Sequence, residues 1–353
     1  MSYHDDLKIE LDFHANDIIA TLPDFSKKFF NHIKDQGMSA RTKLQYAYDM
    51  KRFFTFLSES AGFKEKKIKT MSAAEVLDPL SIEDIQEYIE SLDYYEVTDK
   101  NGNLKTKLAS PSTKARRISS LRSFYRYYFK LGEIKNNLAD LMDIPKIPDK
   151  NVLIMKPEHV ARLLAAVSDE TGMSEGEIKR HSKIIKRDFA IMMVLLGTGI
   201  RISELVGLDY DDVDFYEGSL IVTRKGGNQD AVYFGSEVEE ALADYMECDR
   251  PTLLSGADEP ALFISMQHKR ISPRSVEVMM KKYAEKAGLN MKVTPHTCRR
   301  SFGTNLYEET GDIYLVADAL AHTSVETTKK HYAKMSKDHK RIAAKKSSTL
   351  FRK

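Results

Sequence analysis

Residues 197–205 read Gly197-Thr198-Gly199-Ile200-Arg201-Ile202-Ser203-Glu204-Leu205. A Gly-Thr-Gly turn leads into a helix whose first turn carries Arg201. A helix N-terminus with a guanidinium beside it suits an anion; alone, the same pattern also fits a capped helix with a surface arginine. Upstream, apolar residues from Arg187 to Leu196 repeat with helical spacing. Downstream, Ser219-Leu-Ile-Val-Thr-Arg224 and Asp230-Ala-Val-Tyr-Phe234 flank Lys225-Gly-Gly-Asn-Gln229, the composition of a β-hairpin. Leu262-Phe-Ile264 adds at most one short strand. Helical spacing returns at about 273–287, 297–309, 312–321 and 324–333.

The N-terminal half reads as helices. Ser39 caps a helix from Ala40 to Ser58, and Ser81-Ile-Glu-Asp84 opens another through Ser91. Thr98 to Leu108 reads as a polar loop turning at Asn101-Gly102. Pro111 starts a long helix to Leu131, which Gly132 stops. The aperiodic stretch Asp143-Ile-Pro-Lys-Ile-Pro-Asp-Lys150 is the best linker. A helix follows from Pro157 to Val167, and 168–183 reads as an exposed polar excursion. The expected fold is mainly α with a small β-sheet, in two domains. The segments are an acidic stretch (1–24), a helical domain (25–143), a linker (144–155), a second domain (156–335) and a basic tail (336–353).

Composition narrows the function. At 353 residues, 42% apolar and 30% charged, this is an ordinary globular chain. Two cysteines, Cys248 and Cys298, build neither a disulfide framework nor a CxxC metal knuckle. No apolar run approaches membrane length and no secretory signal is visible, so a reducing cytoplasm is expected. The net charge of +2 lacks the basic surplus usual in a nucleic-acid binder. It conceals blocks, however. Residues 1–24 hold six acids and one base, a net of −5; residues 110–130 hold six bases and no acid; residues 329–353 hold ten bases and one acid, a net of +9. Single-sign blocks point to a polyanionic partner.

Four more features lie in the second half. In His296-Thr-Cys-Arg299-Arg300, positions i and i+3 share a helix face. His322 follows Leu320-Ala321 at a helix end, Tyr332 follows Thr327-Thr-Lys-Lys-His331, and Lys225 sits in the hairpin turn. Each has a bland reading: a cap, a dipole partner, a packed tyrosine, a solvated turn lysine.

Together, their order and spacing resemble the tyrosine recombinase (phage integrase) family. Its pattern of Arg, hairpin Lys, His-x-x-Arg, His or Trp, then Tyr matches Arg201, Lys225, His296, Arg299, His322 and Tyr332. The resemblance covers about 156–335, and the basic helical half resembles the family's core-binding domain. Length and wording are most similar to the single-enzyme Xer recombinases. There are three departures. Leu320-Ala-His322 replaces Leu-Gly-His, one small residue for another at little expected cost. Arg300 follows Arg299 where histidine is usual. Ten residues separate His322 from Tyr332 where many relatives have nine, which leaves Tyr307 and Tyr314 as weaker alternatives.

The resemblance implies a two-domain DNA clamp. Tyr332 attacks a phosphodiester to give a 3′-phosphotyrosine, Arg201 and Arg299 grip the non-bridging oxygens, and His296 accepts the tyrosine proton. Lys225 protonates the leaving 5′-oxygen and His322 hydrogen-bonds the phosphate. Glu204 orients a neighbour rather than reacting. No metal and no nucleotide cofactor are expected, since the arginines supply the charge and the covalent link conserves the ester. Expected DNA contacts are Arg41 and Lys43 on the first long helix; Lys114, Arg116, Arg117, Arg122 and Arg126 on the basic helix; Lys146 in the linker; and Arg300. Implied partners are duplex DNA with an inverted-repeat site and a homotetramer on two such sites. A DNA translocase or accessory factor stays open, and no membrane partner is expected. The tail docks on a neighbouring protomer or serves as a DNA-binding arm. Chromosome dimer resolution is the favoured role. Mobile-element integration is the alternative, ahead of a type IB topoisomerase or a non-catalytic DNA-binding protein.

Overall fold

The computed structural model describes residues 3–60, 62–64, 67–98, 102–147, 153–224, 226–322 and 324–326. The chain divides into two compact units, residues 1–150 and 151–353.

The first unit holds helices α1 (Tyr3–Thr21), α2 (Ser26–Asp35), α3 (Ala40–Glu59), α4 (Ala73–Leu77), α5 (Ile82–Ser91) and α6 (Pro111–Lys130). The starts are set by local chemistry. Ser39 Oγ accepts from the Thr42 amide at 3.2 Å, Ser81 and Asp84 cap each other, and Pro111 fills the first position of α6 behind Ser110. Met50, Phe53, Phe54 and Leu57 on α3 meet Leu121, Phe124, Tyr125 and Tyr128 on α6 in a largely aromatic core. The Phe29 and Phe124 rings pack edge to face at 5.0 Å, and Tyr128 Oη donates to the Phe25 carbonyl at 2.7 Å. An ion pair with one buried partner joins α3 to α6: half-exposed Arg116 meets buried Asp49, which also accepts from Ser120 Oγ at 3.1 Å. Burial pushes the Asp49 carboxyl above its ordinary pKa, and the Arg116 guanidinium opposes the shift.

Two readings of this half change. Residues 98–108 are not simply a loop: β1 (Tyr94–Thr98) and β2 (Leu104–Leu108) form an antiparallel hairpin. The acidic N-terminal stretch is largely helix α1, which lies against α3 through buried Ala15 and Ile19.

The second unit contains α7 (Pro157–Ser168), α8 (Glu175–His181), α9 (Ile185–Thr198), α10 (Ile202–Gly207), α11 (Ser236–Asp244), α12 (Arg250–Leu254), α13 (Pro273–Lys286), α14 (Pro295–Thr310) and α15 (Ile313–Ala319). Its sheet is antiparallel, with order β3 (Val213–Asp214), β4 (Ser219–Thr223), β5 (Gln229–Tyr233). Helix α9 is central: Ala190, Ile191, Met192, Val194 and Leu195 are fully buried, and α7, α11 and α14 pack on it. The 168–183 excursion contains α8, which buries His181; its Nε2 pairs with the Val167 carbonyl at 2.8 Å. Residues 262–264 add no strand to the sheet. Isolated bridges, Asp209 with Ala261 and Ile264 with Arg270, hold that segment, and Tyr245 Oη donates to the Leu262 carbonyl. No helix among the described residues is long and apolar enough to cross a membrane.

Candidate active site

The site is built on the turn between α9 and α10. Gly199 ends α9 in the left-handed region, at φ 64°. A Cβ there would lie 2.5 Å from Phe302 Cδ1, and one on Gly197 would lie 2.6 Å from Val238 Cγ2. Both glycines are therefore required by space, and Gly199 by its backbone as well. Thr198 Oγ1 closes the turn by donating to the Val194 carbonyl at 2.6 Å.

Arg201 caps α10. Its amide donates to Glu204 Oε2 at 2.7 Å, and its Nη1 donates to Glu204 Oε1 at 2.8 Å. Glu204 is 3% exposed and acts as a fixed orienting anion; the Arg201 side chain remains 37% exposed. Its Nη2 donates to the Ala321 carbonyl at 3.2 Å. Arg299, on the second turn of α14, is buried. It donates from Nη1 to the Gly199 carbonyl at 2.8 Å and from Nη2 to the Leu320 carbonyl. Both guanidiniums thus seize the carboxyl end of α15.

That helix end is a Schellman turn. The Ala321 amide donates to the Asp318 carbonyl at 2.7 Å, and the His322 amide donates to the Ala317 carbonyl at 2.9 Å. The turn places half-buried His322 beside carbonyls held by Arg201 and Arg299. His296 lies one turn before Arg299 and is exposed, and Arg300 is half-buried. Cys298 between them is fully buried, and burial pushes its thiol up to about 12, so it is protonated and inert at neutral pH. Lys225 and Tyr332 lie outside the described residues, as do the rest of the helix expected to 333 and the basic tail.

One residue escaped the sequence reading. Arg224, the last residue before the turn lysine, donates from Nη1 to Glu204 Oε2 at 3.1 Å, and from Nε and Nη2 to Asp230 Oδ2 at 3.1 and 3.0 Å. Glu204 therefore carries two guanidiniums. Neither contact is marked in the sequence: Asp230 faces Val222 in the strand register rather than Arg224, and Glu204 lies 20 positions back.

In the first unit, the expected DNA contacts have varied surroundings. Arg41 and Lys146 are exposed. Lys43 is buried, and its ammonium donates to Asp12 Oδ1 at 3.2 Å and Asn16 Oδ1 at 3.0 Å on α1. Lys114 pairs with Asp93 at 2.6 Å, and Arg116 with Asp49. Arg122 donates to the Asp140 carbonyl at 3.3 Å, exposed Arg126 pairs with the Asp140 carboxylate at 3.2 Å, and Arg117 is half-buried.

Two arginines and a histidine gathered on one helix end, in a chain whose first 150 residues form a separate helical unit, define a class. The chain belongs to the phage integrase family, the tyrosine recombinases, which are site-specific DNA recombinases: residues 154–339 match that family, and residues 27–130 match its N-terminal SAM-like domain. Among similar proteins, tyrosine recombinase XerC of Chlorobaculum tepidum is 30% identical over 313 residues, covering 85% of this chain and 87% of that one. Tyrosine recombinase XerD of Corynebacterium glutamicum is 30% identical over 304 residues, covering 86% and 91%. The fold is shared with XerH recombinase bound to a palindromic difH substrate (TM-score 0.60, 17% identity, 95% and 93% coverage). It is shared equally with the lambda integrase tetramer on a Holliday junction (TM-score 0.59, 14% identity, 87% and 76% coverage).

Proposed function

We propose that the protein cuts and rejoins duplex DNA at an inverted-repeat site through a 3′-phosphotyrosyl intermediate. The observation that carries this reading is the convergence of Arg201 and Arg299 on the α15 terminus beside His322. Paired guanidiniums suit the two non-bridging oxygens of a phosphodiester, whose charge grows in the transition state. Tyr332 Oη attacks phosphorus, and its proton passes to His296. The bond to the 5′-oxygen breaks, and Lys225 donates a proton to that oxygen. His322 donates a hydrogen bond to the phosphate. A partner strand's 5′-hydroxyl reverses the step, and no metal or nucleotide is required.

In this reading, residues 25–143 bind the duplex and residues 156–335 cut it, with four copies acting on two sites. The basic tail joins neighbouring protomers. The role is Xer-type resolution of chromosome dimers in the cytoplasm, supported by the Xer names of relatives that match about 85% of the chain. Incubation with a nicked suicide duplex carrying the site tests the chemistry. Wild-type protein forms an SDS-resistant adduct and Tyr332→Phe forms none; an adduct with Tyr332→Phe removes that tyrosine from the mechanism.

A further inference from the structure

Arg224 is 10% exposed and its three side-chain nitrogens are all engaged. It sits where β4 gives way to the turn. Its amide donates to the Asn228 carbonyl at 2.7 Å, and its carbonyl accepts from the Gly227 amide at 3.0 Å. The turn continues through Gly226 and Gly227, at φ 104° and 92°. Two successive glycines in that region give a turn little stiffness of its own. The Arg224 guanidinium supplies a tether: one edge grips Asp230 on the opposite strand, and the other reaches Glu204, the carboxylate that orients Arg201. Glu204 is thus a hinge pin shared by two arginines, one pointing to the phosphate site and one adjoining the turn lysine.

We infer that Arg224 is a positioning residue for strand cleavage, one that fixes the Lys225 turn relative to Arg201 through the shared Glu204 carboxylate. This rests on the reading of Lys225 as proton donor to the leaving 5′-oxygen. A lysine delivers a proton efficiently only when its base is held, because general-acid catalysis needs the donor within hydrogen-bond reach. The blander role for Arg224, neutralising a buried carboxylate, would support the fold and the Arg201 grip without special regard for the leaving group.

Leaving-group chemistry separates the two. A 5′-bridging sulfur departs as a thiolate, whose conjugate acid has a pKa of about 8.5, and so needs no protonation. Single-turnover cleavage is measured on nicked duplexes with oxygen or sulfur at that position, using wild type, Arg224→Gln, Arg224→Lys and Lys225→Ala. Arg224→Gln is expected to be about 10- to 100-fold slow on oxygen, a part of the roughly 10²–10⁴-fold that a general acid contributes, and close to wild type on sulfur. Arg224→Lys keeps a positive charge beside Glu204 but cannot fork to Asp230. It should melt with wild type, ruling out misfolding, and show the same oxygen-only deficit. Equal slowing of both Arg224 variants on the two substrates, or slowing on neither, overturns the inference while leaving the Lys225 assignment intact. Failure of sulfur to restore Lys225→Ala overturns the Lys225 assignment itself, and this inference with it.

Discussion

Ala321 sits at φ 43°, the left-handed position of the turn that ends α15. Glycine takes that conformation freely, whereas a Cβ meets the following carbonyl at a cost of roughly 1–2 kcal/mol. Exchanging one small residue for another here is therefore not neutral, because the Schellman geometry demands a positive φ. Ala321→Gly is expected to raise stability by up to about 1 kcal/mol, after the extra chain entropy of glycine, as read by urea denaturation. The converse applies at Gly199, where positive φ and the Phe302 ring coincide. Gly199→Ala should cost about 2–4 kcal/mol and displace Arg299, whose Nη1 bonds the Gly199 carbonyl. A drop well below 1 kcal/mol with unchanged cleavage would show that the turn accommodates a side chain.

At the scale of elements, legibility followed burial. Helices α3 and α6 present aromatic stripes to a core, and their caps are local, so both were readable. The β1–β2 hairpin was not: all five β2 residues are exposed, so no buried face impresses alternation on Leu104–Leu108. Helix α8 is hidden for the same reason, burying His181 alone. Arg201, Arg299 and His322 were legible as a set because each stands in its own local motif. The bond from Arg224 to Glu204 spans 20 positions and leaves no such mark. The α3–α6 contact carries its own prediction. Arg116→Ala leaves the buried Asp49 carboxylate with the Ser120 hydroxyl as a hydrogen-bond donor but without that guanidinium, and should destabilise the protein by about 1–2 kcal/mol, since solvent already screens half-exposed Arg116. Denaturation without DNA reads this directly; an unchanged midpoint would show that Arg116 is not needed to hold the helices.

At the scale of the whole molecule, a net charge of +2 hides an acidic N-terminal stretch and a basic tail, and the first of these touches the rest of the chain. DNA affinity should fall along a log–log line in salt. Arg126→Ala should lower that slope by about one, because the Arg126–Asp140 pair is solvent-exposed and can open to phosphate, whereas Lys43→Ala should leave it unchanged, since that ammonium is buried between Asp12 and Asn16. Equal slope changes would show that α1 yields to DNA. The interior sets an alkaline limit too. Burial raises Tyr88, Tyr125, Tyr128, Tyr245 and Tyr283 above their ordinary value of 10.0, and Cys298 from 9.0 to about 12. Above pH 9 the unfolded chain releases protons that the folded one retains, so stability present below that pH is lost as pH rises. Melting temperatures should fall progressively between pH 9 and 11, and a flat profile would contradict the buried phenols. The central claim concerns one bond. Protein trapped on a suicide duplex, trimmed with nuclease and digested, should yield by tandem mass spectrometry a nucleotide attached to the peptide containing Tyr332. The nucleotide on Tyr307 or Tyr314, or no adduct on a cognate site, would contradict the account.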